Sequence, residues 1–206
     1  IFDSEVYDFD TDNIVTIYNP ILREKNISTN NSDLEYDICS LGGYSEWKES
    51  FNLLKFFEKN PNRKLLLVGC KKENLSVYER KCYQLAESLK NVTTVGVVTD
   101  VNPYFTAAKL HFFGSKKPHF GRPIIEAAYL ARRSVCRRNR YNEILSKKYN
   151  CCILFDDYKN LEVIIDKHIG DDFQQSPIMT DDFDLAKNVK KIVKVYKEVM
   201  NEKVPN

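Results

Sequence analysis

The sequence predicts an α/β fold, specifically a doubly wound parallel sheet of Rossmann-like architecture. Short apolar runs alternate along the 206-residue chain with segments whose apolar residues recur at helical spacing, so strands and helices alternate. The strand-like runs are apolar at successive positions and not only at every second one, which is typical of parallel strands covered by helices on both faces. The length suits one such domain with a substantial core.

The first half of the chain supplies three strands of this sheet, after a short β-branched run that closes at an Asn-Pro turn. Trp47, Phe51 and Leu54 recur at helical spacing, and a second Asn-Pro pair ends that helix. The predicted elements are a run at 14–18, a strand at 36–41, a helix at 45–59, a strand at 64–68, a helix at 77–89, a strand at 92–98 and a helix at 102–108.

The second half adds three strands and ends in a long amphipathic helix. The fourth strand leads through a polar loop into a helix whose first turn is residues 121–123 and whose second turn carries Glu126. A basic loop at 137–140 follows the fifth strand. The predicted strands lie at 110–113, 134–136 and 151–155, and the predicted helices begin at 121, surround Ile144, and cover 161–168 and 183–200.

The composition argues against several classes of protein. A net charge of +2 does not suggest a nucleic-acid-binding protein. No apolar run approaches the roughly 20 residues of a membrane span, and no signal-peptide pattern is visible at the start. Six cysteines lack a Cys-x-x-Cys pair, so we expect buried free thiols in a reducing compartment and no zinc site. They are Cys39, Cys70, Cys82, Cys136, Cys151 and Cys152.

The stretch 109–131 contains the strongest indication of a binding site. Pro123 suits the first helical position, where its missing N–H needs no partner, and Gly121 allows a ligand to approach the backbone. Such a helix start attracts anions, although a plain strand-to-helix junction is the alternative. Glycines also follow the strands at 36–41, 64–68 and 110–113 and interrupt the one at 92–98, so we expect a ligand at this edge of the sheet.

The order and spacing of these pieces resemble the C-terminal, nucleotide-sugar-binding half of a GT-B glycosyltransferase, closest to the group 1 enzymes of retaining family 4. The segment FGRPIIEAA (120–128) is similar to the FG-x-x-x-x-EA signature of that family, its most specific motif. The segment LGGYSEWKES (41–50) stands where the family has a Gly-Arg loop followed by Lys-Gly. The segment NVTTVGVV (91–98) resembles the start of the region that runs from the base-binding turn to the fourth strand. The likeness covers nearly the whole chain.

The resemblance implies roles for individual residues. Glu126 would accept hydrogen bonds from the ribose hydroxyls, and Lys48 would act as a cation on the pyrophosphate leaving group. A first-turn acid favoured by the helix dipole and a solvated helix lysine are the respective alternatives. The implied donor-binding residues are Gly42, Gly43, Gly96, Val97, Val98, Ser115, His119, Phe120, Gly121, Arg122, Pro123 and Glu126.

Two positions depart from the family pattern. Pro118 replaces the acid that the family has eight residues before Glu126, and Gly43 replaces the arginine of the phosphate loop. We expect basic residues at the same sheet edge to supply the missing charge, with contact to anionic lipid as the alternative. They are Lys116, Lys117, Arg122, Arg137, Arg138 and Arg140.

The function implied by the resemblance is donor binding in a retaining glycosyltransferase, which transfers a sugar from a UDP- or GDP-linked donor to a glycan or lipid-linked acceptor. No metal or other cofactor is expected, because no DxD-type pair lies at these strand ends. One alternative, motivated by Pro118 and Gly43, is a GT-B module that binds or scaffolds without catalysing. A second, an NAD-binding domain, requires a G-x-G-x-x-G motif that residues 42–46 do not provide.

The resemblance also implies a division of the chain. Residues 1–32 would be an interdomain linker with a first strand, residues 33–180 the nucleotide-sugar-binding domain, and residues 181–206 a helix that returns to an N-terminal domain. Because the chain begins at Ile1 and not at Met, we expect an excised or processed piece that turns over little without that N-terminal domain. We expect a cytoplasmic protein, with peripheral membrane contact as an option.

Overall fold

The computed structural model describes residues 15, 17, 18, 20, 21, 35–118, 121–171, 173 and 181–202, with residues 201 and 202 described by their backbone alone. The chain divides into two compact units. Residues 26–175 form the larger unit, and residues 1–25 and 176–206 form the smaller one.

The larger unit contains a sheet of six parallel strands, which confirms the predicted fold class. The strand order is β3-β2-β1-β4-β5-β6, so the chain reverses its direction of winding between β1 and β4. In register, Ser40 of β1 lies between Leu67 of β2 and Phe112 of β4. The strands are β1 Tyr36–Leu41, β2 Leu65–Val68, β3 Val92–Val95, β4 Ala108–Phe113, β5 Ser134–Arg137 and β6 Cys152–Phe155.

Helices follow the strands of this sheet, and α7 belongs to the smaller unit. Ser76 starts α2 with a capping box, because its Oγ accepts from the Glu79 N–H and the Glu79 carboxylate accepts from the Ser76 N–H. The helices are α1 Ser50–Lys59, α2 Val77–Ser88, α3 Asn102–Thr106, α4 Arg122–Tyr129, α5 Arg140–Tyr149, α6 Leu161–His168 and α7 Leu185–Glu202, with a 3₁₀ turn at Tyr158–Asn160 before α6.

Apolar side chains cover both faces of the sheet, as expected for parallel strands. Ile38 and its neighbours on one face pack against α1, α2 and α6, and Cys39 and its neighbours on the other face pack against α3 and α4. The six cysteines are all buried, as predicted, and burial raises the pKa of the Cys39 thiol to about 12. Packing of helices on both faces leaves the carboxyl-end edge of the sheet to the loops.

Several observed element boundaries differ from the predicted ones. Residues 45–49 form a loop and not the first turns of a helix, because Glu49 adopts a left-handed conformation (φ 55°) immediately before α1. The third strand ends at Val95, which leaves Gly96–Val98 in the following loop. The fourth strand begins at Ala108, so Lys109 lies within a strand and its Nζ donates to Asp37 Oδ1 over 2.9 Å.

In the smaller unit, the ring of Tyr18 lies 5.0 Å from that of Phe183, and Asn188 Nδ2 donates to the Tyr18 carbonyl. The run predicted at 14–18 lies partly outside the described residues, and residues 15, 17 and 18 within it are not in a strand. One side of α7 exposes apolar side chains. No helix among the described residues is both long and apolar enough to cross a membrane.

Candidate functional site

The switch point of the sheet lies between the carboxyl ends of β1 and β4. In doubly wound sheets this is where the loops diverge and leave a crevice for a ligand. The strand ends here are Leu41 and Phe113, and the two loops that follow them carry most of the predicted site. We refer to residues 42–49 as the β1–α1 loop and to residues 114–118 as the β4–α4 loop.

Lys48 lies at the switch point and contacts both strands that flank it. Its Nζ donates to the Leu41 carbonyl over 2.8 Å and lies 5.8 Å from the centroid of the Phe113 ring. Burial lowers the pKa of this ammonium group. No carboxylate among the described residues lies within ion-pair distance of Lys48. The predicted pyrophosphate lysine is therefore a half-buried cation, and the alternative of a solvated helix residue is wrong.

Gly42 and Gly43 form a tight turn that follows β1 and contacts the end of β2. Both residues have positive φ, and their N–H groups donate to the Val68 carbonyl over 2.9 and 2.8 Å. A Cβ on Gly43 would collide with the Gly69 carbonyl. The N–H groups of Gly42 and Gly43 therefore already have a partner within the protein and are not free to bind a ligand. The turn instead leaves room for a ligand beside Gly42, which is exposed.

Gly96, Val97 and Val98 lie in the loop after the edge strand β3. The Gly96 carbonyl accepts from the Gly69 N–H over 3.1 Å, which ties this loop to the end of β2. Val97 is 77% exposed, whereas Val98 packs against the core. The predicted base-binding backbone is therefore exposed at the same sheet edge as Lys48.

Helix α4 begins beside the switch point. Gly121 is its N-cap residue, Arg122 is its first helical residue, and Pro123 is at the second position instead of the predicted first. No side chain among the described residues caps this helix start. The Glu126 carboxylate accepts from Arg122 Nε over 2.8 Å, so the predicted ribose acceptor is paired with a predicted phosphate ligand.

Ser115 is fully buried in the β4–α4 loop. Its hydroxyl donates to the Lys117 carbonyl over 3.4 Å, and its own carbonyl accepts from Asn139 Nδ2 over 3.3 Å. Its side chain therefore faces the loop. The predicted donor contacts His119 and Phe120 lie outside the described residues.

Basic residues at the sheet edge do not form the unpaired positive surface that the sequence suggested. Lys116 Nζ lies 2.8 Å from Glu49 Oε1, and Arg137 Nε lies 3.7 Å from Glu49 Oε2. Arg138 contacts two acids, the carboxylates of Asp156 and Glu143. Acids from other loops and helices therefore balance much of the predicted charge.

Lys117 and Arg140 also differ from free phosphate ligands. Lys117 Nζ lies 3.0 Å from the centroid of the Trp47 ring, a cation–π contact. Arg140 is the first residue of α5 and not part of a loop. Trp47 is 57% exposed in the β1–α1 loop, although its spacing predicted an apolar helix position.

Glu49 is the residue of this edge that sequence reasoning missed. It is 5% exposed, and its carboxylate contacts Lys116, Arg137 and Asn52. One signal was available, because this position corresponds to a glycine in the family pattern, and glycine marks positive φ. Among the described residues, no cluster of three or more His, Cys, Asp or Glu is placed to hold a metal ion.

Comparisons with known proteins agree with this geometry. The family model described as glycosyl transferases group 1 matches residues 10–170. Anabaena Alr3699/HepE, crystallised with UDP and glucose, superposes with a TM-score of 0.67 at 20% identity, covering 80% of this chain and 48% of that one. Sucrose-phosphate synthase from Thermosynechococcus elongatus gives 0.66 at 18% identity, covering 84% and 48%.

The lipopolysaccharide outer core galactosyltransferase WaaB, in its apo form, gives a TM-score of 0.67 at 13% identity, covering 92% of this chain and 57% of that one. None of the curated protein sequences matches this chain. The chain spans about half the length of these structures. With its six-stranded parallel sheet and the match over residues 10–170, the chain belongs to the group 1 glycosyltransferases and has the Rossmann-like fold of one half of a GT-B enzyme.

Proposed function

We propose that this chain is the donor-binding domain of a retaining glycosyltransferase that transfers a sugar from a UDP- or GDP-linked donor to a glycan or lipid-linked acceptor. One observation carries the proposal: at the switch point the Lys48 ammonium, which has no acidic partner among the described residues, lies beside an open glycine turn and near the start of α4 with its Glu126. A cation, a helix N-terminus and a carboxylate together suit a diphosphate linked to a ribose.

The structural neighbours support a nucleotide-sugar donor. Alr3699/HepE has been crystallised with UDP-glucose, and Staphylococcus aureus TarM has been crystallised with UDP. Both share the fold of this chain at about 20% identity. Their ligands motivate the choice of probes below, whereas the retaining outcome and the acceptor class follow from the family resemblance.

In the proposed reaction, the bond between the anomeric carbon of the sugar and the terminal phosphate oxygen breaks, and the nucleotide diphosphate leaves with additional negative charge. Lys48 is the cation placed to stabilise that charge, because its Nζ is held by the Leu41 carbonyl and no acid in the described part of the chain neutralises it. The partial positive charge at the N-terminus of α4 acts in the same direction. When the donor binds, the Glu126 carboxylate would release Arg122 and accept hydrogen bonds from the ribose hydroxyls instead.

The acceptor site in this proposal belongs to an N-terminal domain outside the present sequence. Helix α7 supports such a contact, because Val189, Ile192 and Val193 leave an apolar face exposed on it. The chain by itself would then bind the donor and transfer little or no sugar. A cytoplasmic location, with peripheral contact to the membrane, stays a prediction.

A module that binds or scaffolds without catalysing is the second candidate. Pro118 and Gly43 lack the acid and the arginine of the family pattern, and the neighbouring cations are largely paired with acids. Assays of the full-length protein with and without Pro118→Glu separate the two. Ordinary transfer rates in the unaltered protein would exclude the scaffold, and transfer that appears only with the restored acid would support it.

Calorimetric titration of the 206-residue chain with UDP- and GDP-sugars tests donor binding. We expect one nucleotide class to bind, and Glu126→Ala to weaken that binding about tenfold, because a hydrogen-bonded charge contributes about 1.5–3 kcal/mol. Glu58→Ala is the matched control, since Glu58 is a half-exposed helix acid paired with Lys55 over 2.8 Å. Absence of binding at millimolar ligand, or equal affinities in all three proteins, contradicts the proposal.

A further inference from the structure

The two loops at the switch point contact each other through consecutive residues. The backbone of the β4–α4 loop approaches so closely that a Cβ on Gly114 would lie 2.5 Å from the Lys48 carbonyl oxygen. The side chain of Lys116 then reaches the Glu49 carboxylate over 2.8 Å. The contact of Lys117 with Trp47 continues the same interface. The loop that carries the phosphate cation is thus joined to the loop that leads to α4.

Glu49 is the centre of this interface. Its Oε1 accepts from Asn52 Nδ2 over 3.2 Å in addition to its ion pair with Lys116, and its Oε2 faces Arg137 Nε at 3.7 Å. Burial and then the nearby Glu49 carboxylate raise the pKa of the Tyr158 hydroxyl. Segments from β4, β5 and the turn before α6 therefore surround a single carboxylate.

The conformation and burial of Glu49 are both costly. A residue other than glycine in the left-handed region loses backbone stability, and a buried carboxylate needs charged partners to compensate for its lost hydration. The ion pair does little to stabilise the Lys116 ammonium, because the Lys116 side chain is 62% exposed and water already solvates its charge. Glu49 bears both the conformational cost and the cost of burial. The main effect of its pair with Lys116 is therefore to hold the β4–α4 loop in place.

We infer that Glu49 is a positioning residue for the donor: it holds the β4–α4 loop, through Lys116, against the β1–α1 loop. The diphosphate contact at Lys48 is thereby held beside Gly114, the residue that follows β4. Glu49 itself touches no substrate. The inference rests on the proposed function, because it concerns how the same site is shaped.

A double-mutant cycle tests this link on the 206-residue chain, with UDP as the calorimetric probe. We expect Glu49→Gln and Lys116→Gln each to weaken UDP binding about fivefold, and the double variant to lose no more than Glu49→Gln alone, because both substitutions remove the ion pair between Lys116 and Glu49. Lys116→Arg keeps an ionic partner for Glu49 and should retain the affinity of the unaltered chain. Glu58→Gln, which breaks the Lys55 pair far from the switch point, is the control.

Thermal unfolding of the same variants separates positioning from folding. Lys116→Gln changes an exposed lysine, so it should fold even where Glu49→Gln does not. Unchanged UDP affinity in both glutamine variants, or losses that add in the double variant, would overturn the inference while leaving the donor site in place. Failure of the unaltered chain to bind any UDP or GDP probe would instead overturn the proposed function, and with it this inference.

Discussion

Helices α2 and α4 both begin at the carboxyl-end edge of the sheet, yet their starts are built differently. Ser76 and Glu79 close the start of α2 with two reciprocal hydrogen bonds of 3.2 and 2.8 Å. Helix α4 starts at Gly121, where no described side chain provides a cap. The end of α2 therefore satisfies its own N–H groups, whereas the end of α4 is available to an anion.

The same sheet edge thus carries one helix start that its own side chains close and one that no described side chain closes. Lys48 lies at the switch point from which α4 departs, while Lys71 is exposed in a cavity of about 380 Å³ that Ser76 and Glu79 also line. Lys48 is thus held by a backbone carbonyl at the switch point, whereas Lys71 is an exposed lysine beside the capped start of α2. Three substitutions test this contrast.

The largest effect is expected from Lys48→Met, which removes the cation and keeps the length of the side chain. UDP affinity should fall at least about tenfold, because a charge-assisted hydrogen bond to phosphate contributes about 1.5–3 kcal/mol. Calorimetry measures the loss, and Lys71→Met gives the comparison at the α2 end, where Lys71 and Gly42 line the same cavity. If the Lys71 variant lost as much affinity as the Lys48 variant, the contrast between the two ends would be wrong.

A smaller effect, on stability and not on binding, is expected from Ser76→Ala. Loss of the cap should lower the free energy of unfolding by about 1 kcal/mol, because the Glu79 N–H loses its partner. Denaturant unfolding measures this, with UDP affinity unchanged. Ser88→Ala, at the exposed far end of α2, should cost less. A Ser76 variant of normal stability with weakened UDP binding would mean that the α2 start also receives the ligand.

The smallest effect is expected from Arg122→Gln. The Arg122 side chain is 63% exposed and its pair with Glu126 is worth at most about 1 kcal/mol, so its loss should leave the fold intact. The freed Glu126 carboxylate should bind UDP about two- to threefold more tightly. Lys55→Gln, which breaks the Lys55–Glu58 pair on α1, is the control for calorimetry. Weaker binding would mean that Arg122 contacts the phosphates, as the sequence alone predicted.

The sheet was the most predictable part of the molecule. Four of its six strands are runs of mainly apolar residues, because burial on two faces selects for such runs, and the predicted runs overlap all six observed strands. Predicted and observed boundaries differ where the apolar pattern continues past the end of a strand. The third strand was predicted to end at residue 98 and ends at Val95. Helical spacing from Trp47 onward likewise predicted an early start for α1, where the positive φ of Glu49 delays it to Ser50.

The candidate site was predictable in position but not in its charges. Lys48 and Glu126 occur in motifs with local spacing, so the resemblance placed them. The pairs of Glu49 with Lys116 and Arg137 join residues from different loops, and no local pattern shows which acid will meet which base. For the same reason the sequence did not show that several of the basic residues at this edge pair with acids.

The sequence by itself determined the α/β fold with its doubly wound parallel sheet, and the residues that follow the strands at its carboxyl-end edge. Periodicity and glycine placement are properties of neighbouring residues, so they can be recognised along the chain. Only the tertiary structure decided that Lys48 has no acidic partner among the described residues, that Glu49 joins two loops, and that α4 begins without a described cap. These features depend on distances between residues far apart in the chain, which packing alone sets.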